Sequence, residues 1–422
     1  MTGPTRRSGQ YQSWLVLLLS LNFGILFFDR QAANFMMPYI QPDLGLTNTQ
    51  VGILSSGLSL TWALSGLAIG PLSDKLGSRK PLLIIATLAF CLCSFLSGLA
   101  GGFLLLLGAR LLMGMAEGGV MPISHAMIVS EVKPERRGLA MGVGQNLGSN
   151  LLGSTAAPLI LVPIAAYFGW RTGFYIAAIP GLITAALIWF TLREPPHGLE
   201  NEGEDHAPKV TFREAFRNRN VLLCALVAIL LVSYLVVTWA FMPLYLTQER
   251  GFDETTMGWI MAALGISAGV NSFVVPWISD KIGRKPTFLA VCLMGAILPL
   301  GALYMEGASW LVLAVLFYFG WSLNGIFPLF MATVPAESVD PRLTATLTGV
   351  VMGTGEILGG VFSPSIAGVL GDIYGLSATL WFLLALTGGA FLCSLFLRES
   401  APAVLEKHGR KPLYLEARAL AQ

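Results

Sequence analysis

Charge is scarce in this chain: Asp, Glu, Lys and Arg make up 12% of its 422 residues, about half the share of an ordinary soluble domain. Hydrophobic residues take 55% and mean hydropathy is +0.69. A water-facing surface cannot be built from so few charges, so most of the surface must face lipid. A net charge of +2, with no strongly basic stretch, argues against a nucleic-acid partner. Histidine is limited to 4 positions and cysteine to 5. Cys91 and Cys93 lack metal-ligand spacing, no second pair completes a site, and all five cysteines lie in apolar runs, as small buried fillers do. No nucleophile–base pair stands out either. Neither an enzyme nor a metal or cofactor protein is expected.

Long hydrophobic runs are what the chain does contain. A helix needs about 20 apolar residues to cross a bilayer. Such runs fall near 14–39, 50–71, 81–100, 102–130, 138–163 and 171–192, and again near 220–246, 255–277, 286–305, 309–331, 343–369 and 375–397. The first follows only Arg6 and Arg7, exceeds signal-peptide length and shows no small-residue cleavage site, so it reads as a retained helix. One long polar stretch, with Glu200, Glu202, Glu204 and Asp205 followed by Arg213, Arg217 and Arg219, divides the runs six and six. The expected architecture is an all-α membrane protein of twelve transmembrane helices. An N-terminal bundle takes residues 1–192, a cytoplasmic linker 193–219, a C-terminal bundle 220–397 and a cytoplasmic tail 398–422.

The two halves repeat. Ser73-Asp74-Lys75-Leu76-Gly77 returns as Ser279-Asp280-Lys281-Ile282-Gly283, and each copy runs on to a basic pair and proline, Arg79-Lys80-Pro81 and Arg284-Lys285-Pro286. Each lies between the second and third helix of its half, the mark of a duplicated six-helix unit. Asp74, Arg79, Asp280 and Arg284 therefore read as a conformational latch at helix ends, where a carboxylate pairs with basic loop residues or a helix N-terminus. With the chain starting inside, only Arg171 and Arg250 fall outside, Arg30 and Arg110 lie within helices, and every other Lys and Arg is inside. The positive-inside rule places both termini in the cytoplasm of a cell-membrane protein.

Ionisable groups within apolar helices are costly and mark function or a structural partner. Asp29 and Arg30 lie in the first run, Arg110 and Glu117 in the fourth and Glu356 in the eleventh. Arg110 and Glu117 are seven apart and share a helix face. One reading is a structural ion-pair network. The sharper reading has the arginines bind an anion, since a guanidinium stays charged and its fork suits a carboxylate, while Asp29 and Glu117 carry protons. Gln145 and Asn146 can hydrogen-bond a polar substrate, and Trp62, Tyr234, Trp239 and Trp321 can line a cavity or merely pack. His125 reads as a proton relay or, as a lone helical histidine more often is, a hydrogen-bonded structural group.

With these residues in view, the Asp-Lys-x-Gly-x-Arg-Lys loop at 74–80 and its shortened second copy resemble the signature loops of the major facilitator superfamily. Phe28-Asp29-Arg30, Arg110-x6-Glu117-Gly118, Pro134-Glu135-Arg136-Arg137-Gly138 and Gly169-Trp170-Arg171 resemble its anion:cation symporter branch, which includes sialin, the vesicular glutamate transporters and bacterial sugar-acid importers. The resemblance spans about residues 14–397. It implies two pseudo-symmetric bundles around a central site, alternating access, and symport of a small organic anion with protons by a monomer. Arg30, Arg110, Trp62, Gln145, Asn146 and Glu356 are then the expected substrate-binding residues, and Asp29 and Glu117 the proton-coupling ones. Three departures bear on substrate: Phe27 and Trp62 stand where sugar-acid relatives commonly have tyrosine, and Glu356 where an amide is expected. They imply a less polar pocket, so a monocarboxylate or aromatic acid rivals a sugar acid. An exporter or antiporter, and a transporter-like nutrient sensor, remain the rival functions.

Overall fold

The computed structural model describes residues 8–195, 218–339 and 343–410, and the side chains of Asp74 and Lys75 lie outside what it describes. Most of the linker falls outside it as well. Among the described residues, twelve helices are long and apolar enough to cross a membrane. They are α1 (Gly9–Leu44), α2 (Asn48–Leu76), α3 (Arg79–Gly98), α4 (Phe103–Glu131), α5 (Arg136–Phe168) and α6 (Trp170–Thr191) in the first half. In the second half come α7 (Arg219–Glu249), α8 (Glu254–Ile282), α9 (Arg284–Tyr304), α10 (Trp310–Ser338), α11 (Thr346–Tyr374) and α12 (Ser377–Leu395). All twelve expected runs are helices, several of them longer than their apolar cores because polar caps extend them. Thr47 and Gln50 form a reciprocal capping box at α2. Asp253 caps α8, accepting from the Thr256 hydroxyl at 2.6 Å and its N–H at 2.9 Å, which holds the Asp253 carboxyl below its usual range.

The helical ladder is not uniform. π-helical turns occupy Val143–Leu147 and Ser149–Ala156 in α5 and Gly355–Val361 in α11. Such wide turns free backbone groups and tend to accompany functional sites. Here they hold Gln145, Asn146 and Glu356.

The halves meet chiefly where α2 packs on α11 and α5 on α8. The two crossings match. A Cβ at Gly52 of α2 would lie 2.2 Å from the Pro364 carbonyl oxygen of α11, and one at Gly258 of α8 would lie 3.2 Å from the Pro158 carbonyl oxygen of α5. Glycine at both positions lets backbones touch, which lipid-embedded helices need because apolar burial does not drive them together.

Among the described residues, hydrogen bonds between the halves gather toward the end opposite the chain termini. Asn48 and Thr49 donate their N–H groups to the two carboxylate oxygens of Asp372, each at 2.8 Å. Gln248 donates to Gln41 at 2.7 Å, and the Ser56 and Ser365 hydroxyls lie 2.8 Å apart. A carboxylate on the first N–H groups of α2 also complements that helix's dipole. Replacing Asp372 by alanine removes both bonds and should shift the population toward opening at this end. Distance measurements between spin labels placed across that end should lengthen; unchanged distances would show that the α2–α11 packing alone closes it.

Candidate functional site

A cavity of about 420 Å³ lies between the halves. Its wall is drawn from α1, α2, α4 and α5 on one side and α7, α8, α10 and α11 on the other. All six expected substrate-binding residues, Arg30, Trp62, Arg110, Gln145, Asn146 and Glu356, line it. Trp239 and Trp321 line it too, with ring centroids 5.2 Å apart in an edge-to-face pair. Tyr234 does not. Its ring is fully buried and its hydroxyl donates to the Gly295 carbonyl at 2.8 Å, so it ties α7 to α9 instead of facing a ligand.

The arginines are placed differently from each other. Arg30 is partly exposed; its guanidinium lies 5.3 Å from the Trp62 ring and 5.5 Å from the Phe27 ring, and 3.8 Å from Glu117. Arg110 is buried, donating through Nη1 to the Arg30 carbonyl and the Met113 sulfur, each at 3.3 Å. Its Nε and Nη2 have no hydrogen-bond partner among the described residues. Two N–H edges of a buried guanidinium without acceptors are costly unless an anion meets them.

Neither expected proton carrier lies on the cavity wall. Asp29 and Glu117 are both fully buried just behind it. Glu117 faces Arg30, with no hydrogen bond at either carboxylate oxygen among the described residues. Asp29 turns away from its neighbour Arg30: its Oδ1 accepts from Ser94 of α3 at 2.5 Å, while Oδ2 has no hydrogen-bond partner among the described residues. Sequence adjacency is misleading here, since consecutive residues on a helix point about 100° apart. His125 stays off the wall, its Nε2 without a hydrogen-bond partner among the described residues.

At the terminus-bearing end, Arg284 forms ion pairs with Asp280 at 2.6 Å and with Glu337 at 2.7 Å. Glu399 accepts from the backbone N–H groups of Arg284 and Lys285 at 2.8 and 3.1 Å. The first half repeats the cap, since Glu194 accepts from the N–H groups of Arg79 and Lys80 at 2.5 and 3.0 Å. Arg79 also donates to the Ala126 carbonyl at 3.2 Å. These two glutamates were not anticipated, although a signal existed: Leu192-Arg193-Glu194 recurs as Leu397-Arg398-Glu399 in the repeat's register. Asp280→Asn should slow turnover several-fold while moving equilibrium substrate affinity by less than about twofold, because Asp280 lies away from the cavity. An equally large loss of affinity in binding titrations would place Asp280 in the substrate's path.

The Major Facilitator Superfamily model matches residues 19–361 and 237–420 of the chain. The chain belongs to this superfamily. It is a multi-pass membrane transporter and not an enzyme. A hexuronate transporter of Bacillus subtilis is 29% identical over 380 residues, covering 85% of this chain and 87% of that one. A D-galactonate transporter of Escherichia coli is 25% identical, covering 90% and 94%. Among solved structures, a bacterial homolog of the human lysosomal transporter Spinster aligns with a TM-score of 0.74 at 20% identity, covering 93% of this chain and 98% of that one. A D-xylose-proton symporter aligns with the same score at 15% identity, covering 92% and 98%. These structural matches carry the fold: two six-helix halves around a central cavity, as here.

Proposed function

We propose that this transporter imports a small organic carboxylate together with protons. The observation that carries the reading is the pair of guanidiniums at the cavity wall, one of them buried with two donor groups lacking acceptors. A fixed, planar, permanently charged fork is matched to a carboxylate. The acids named for the hexuronate and D-galactonate relatives agree with that chemistry.

Proton coupling rests on Glu117 and Asp29. Ionised, Glu117 competes with substrate for Arg30; protonated, it releases the guanidinium. Proton and anion then favour each other's binding, as linkage requires. Asp29 acts at one remove, by setting the charge around Arg110. The latch residues Asp74, Arg79, Asp280 and Arg284 serve the conformational cycle. The distribution of Lys and Arg supports cytoplasmic termini, a monomer is the simplest working unit, and a thiol-reactive probe of sidedness on a cysteine introduced into the 398–422 tail tests the orientation.

Uptake into proteoliposomes, with and without an inward proton gradient, tests the whole reading. Gradient-driven accumulation of a carboxylate supports it. Accumulation that needs a counter-anion inside, and ignores the proton gradient, would make the protein an exchanger.

A further inference from the structure

Glu356 is the only acidic side chain on the cavity wall among the described residues; Asp29 and Glu117 stand behind it. It sits on the π-helical turns of α11, half-buried, beside Gly360 and near Ser59 of α2. No described residue forms a hydrogen bond or an ion pair with it, and Arg30 acts on it only at a distance. In the repeat's register, which aligns Gly153 with Gly359 and Pro158 with Pro364, the counterpart of Glu356 is Asn150, also on the wall. A ligand therefore meets two guanidiniums from the first half and one carboxylate from the second. When ionised, the Glu356 carboxylate only accepts hydrogen bonds, so as the cavity closes and water leaves, a ligand that offers it a donor is favoured.

The body of the ligand is indicated by the rings around it. Trp62 and Phe27 from the first half, and Trp239, Trp321 and Phe327 from the second, border the same space. Rings gathered from both sides can give a flat π-system offset-stacked or edge-to-face contacts beyond plain apolar burial.

We propose that the cavity takes an aromatic carboxylate carrying a ring hydroxyl or amine, with Glu356 as the acceptor for that donor and the arginines at the carboxylate. This rests on the carboxylate reading above and narrows it. One charge-assisted hydrogen bond is worth about a tenfold change in affinity or more.

Titration calorimetry on the purified full-length protein, with 3-hydroxybenzoate, 4-hydroxybenzoate, 4-aminobenzoate, benzoate and gluconate as probes, tests it. The expected order puts at least one donor-bearing benzoate about tenfold or more above benzoate, with gluconate weakest. Glu356→Leu should erase that preference by weakening the donor-bearing ligand to the level of benzoate. Glu356→Gln keeps an acceptor oxygen and should retain part of it. Gluconate binding as tightly as the benzoates would overturn the aromatic assignment while leaving the carboxylate reading intact. Equal affinities for benzoate and all donor-bearing benzoates in the parent protein, or a preference that survives Glu356→Leu, would overturn the role of Glu356. Binding of the same aromatic ring as its uncharged amide in place of the acid would instead remove the carboxylate reading itself.

Discussion

Replacing Arg110 with lysine is expected to weaken substrate binding by about 10- to 100-fold while leaving the protein folded. Lysine keeps the charge but offers a point ammonium in place of a fork, and hydrogen bonds to charged groups are worth about 1.5–3 kcal/mol. Arg110 is 3% exposed and its Nε and Nη2 lack acceptors among the described residues, so a carboxylate that reaches the guanidinium can satisfy two donors at once. Arg30 should respond less steeply to the same change, because its guanidinium is partly exposed and shared with Glu117 and two aromatic faces. Arg110→Ala should go further, removing detectable binding and also lowering thermal stability, since Asp29 and Glu117 would lose a buried counter-charge. Titration of the parent and lysine variants against one carboxylate decides this. Parent-like affinity in Arg110→Lys would mean that only charge, and no bidentate geometry, holds the ligand.

Glu117→Gln should abolish proton-driven accumulation and preserve exchange. Glutamine imitates the protonated acid at nearly constant volume, so the variant sits permanently in the substrate-accepting form with Arg30 released. Each coupled proton lets one pH unit of gradient support about tenfold accumulation. The variant's steady-state accumulation should fall toward unity, while counterflow of labelled substrate against unlabelled continues near the parent rate. Asp29→Asn should weaken coupling with a different signature. Its Oδ1 accepts from Ser94, and the amide oxygen can keep that bond, so α1 should stay in place while the charge near Arg110 is lost. If both single variants accumulate substrate as steeply as the parent in paired counterflow and pH-jump assays, neither carboxylate couples protons, and the buried charges form a structural network.

The fold was open to reading from composition because lipid leaves few alternatives. A backbone in hydrocarbon must satisfy its own hydrogen bonds, so twelve apolar runs can only be twelve helices. Duplication was equally plain in the two Ser-Asp-Lys loops. Candidate cavity residues were recoverable for a related reason: Arg30, Arg110 and Glu356 are so expensive in apolar helices that their presence alone marks a cavity or a partner. Sequence could not say which of the charged groups touch. Asp29 beside Arg30 looks like a pair, yet the helix turns Asp29 to Ser94 and brings Glu117 from α4 to Arg30 instead. Tyr234 resembled the cavity tryptophans in type and setting, and only tertiary packing sends its hydroxyl to Gly295. Asp372 and Glu399 were missed because a carboxylate near a helix end is ordinary in sequence. Their meaning arises from backbone N–H groups more than a hundred residues away.

The matched contacts of Gly52 on Pro364 and Gly258 on Pro158 have a mechanical consequence. Each carboxylate cap at the Arg-Lys loops closes within its own half, so each half is braced as a lever. Two levers can rock against each other only about the surfaces where they bear, and at Gly52 and Gly258 those surfaces are backbone against backbone. A glycine seat has no rotamers to rearrange and no methyl groups to climb over, so the halves can roll across it with little friction. A methyl group at Gly52 would act as a wedge in the fulcrum, holding α2 off α11 and jamming the stroke without touching the cavity.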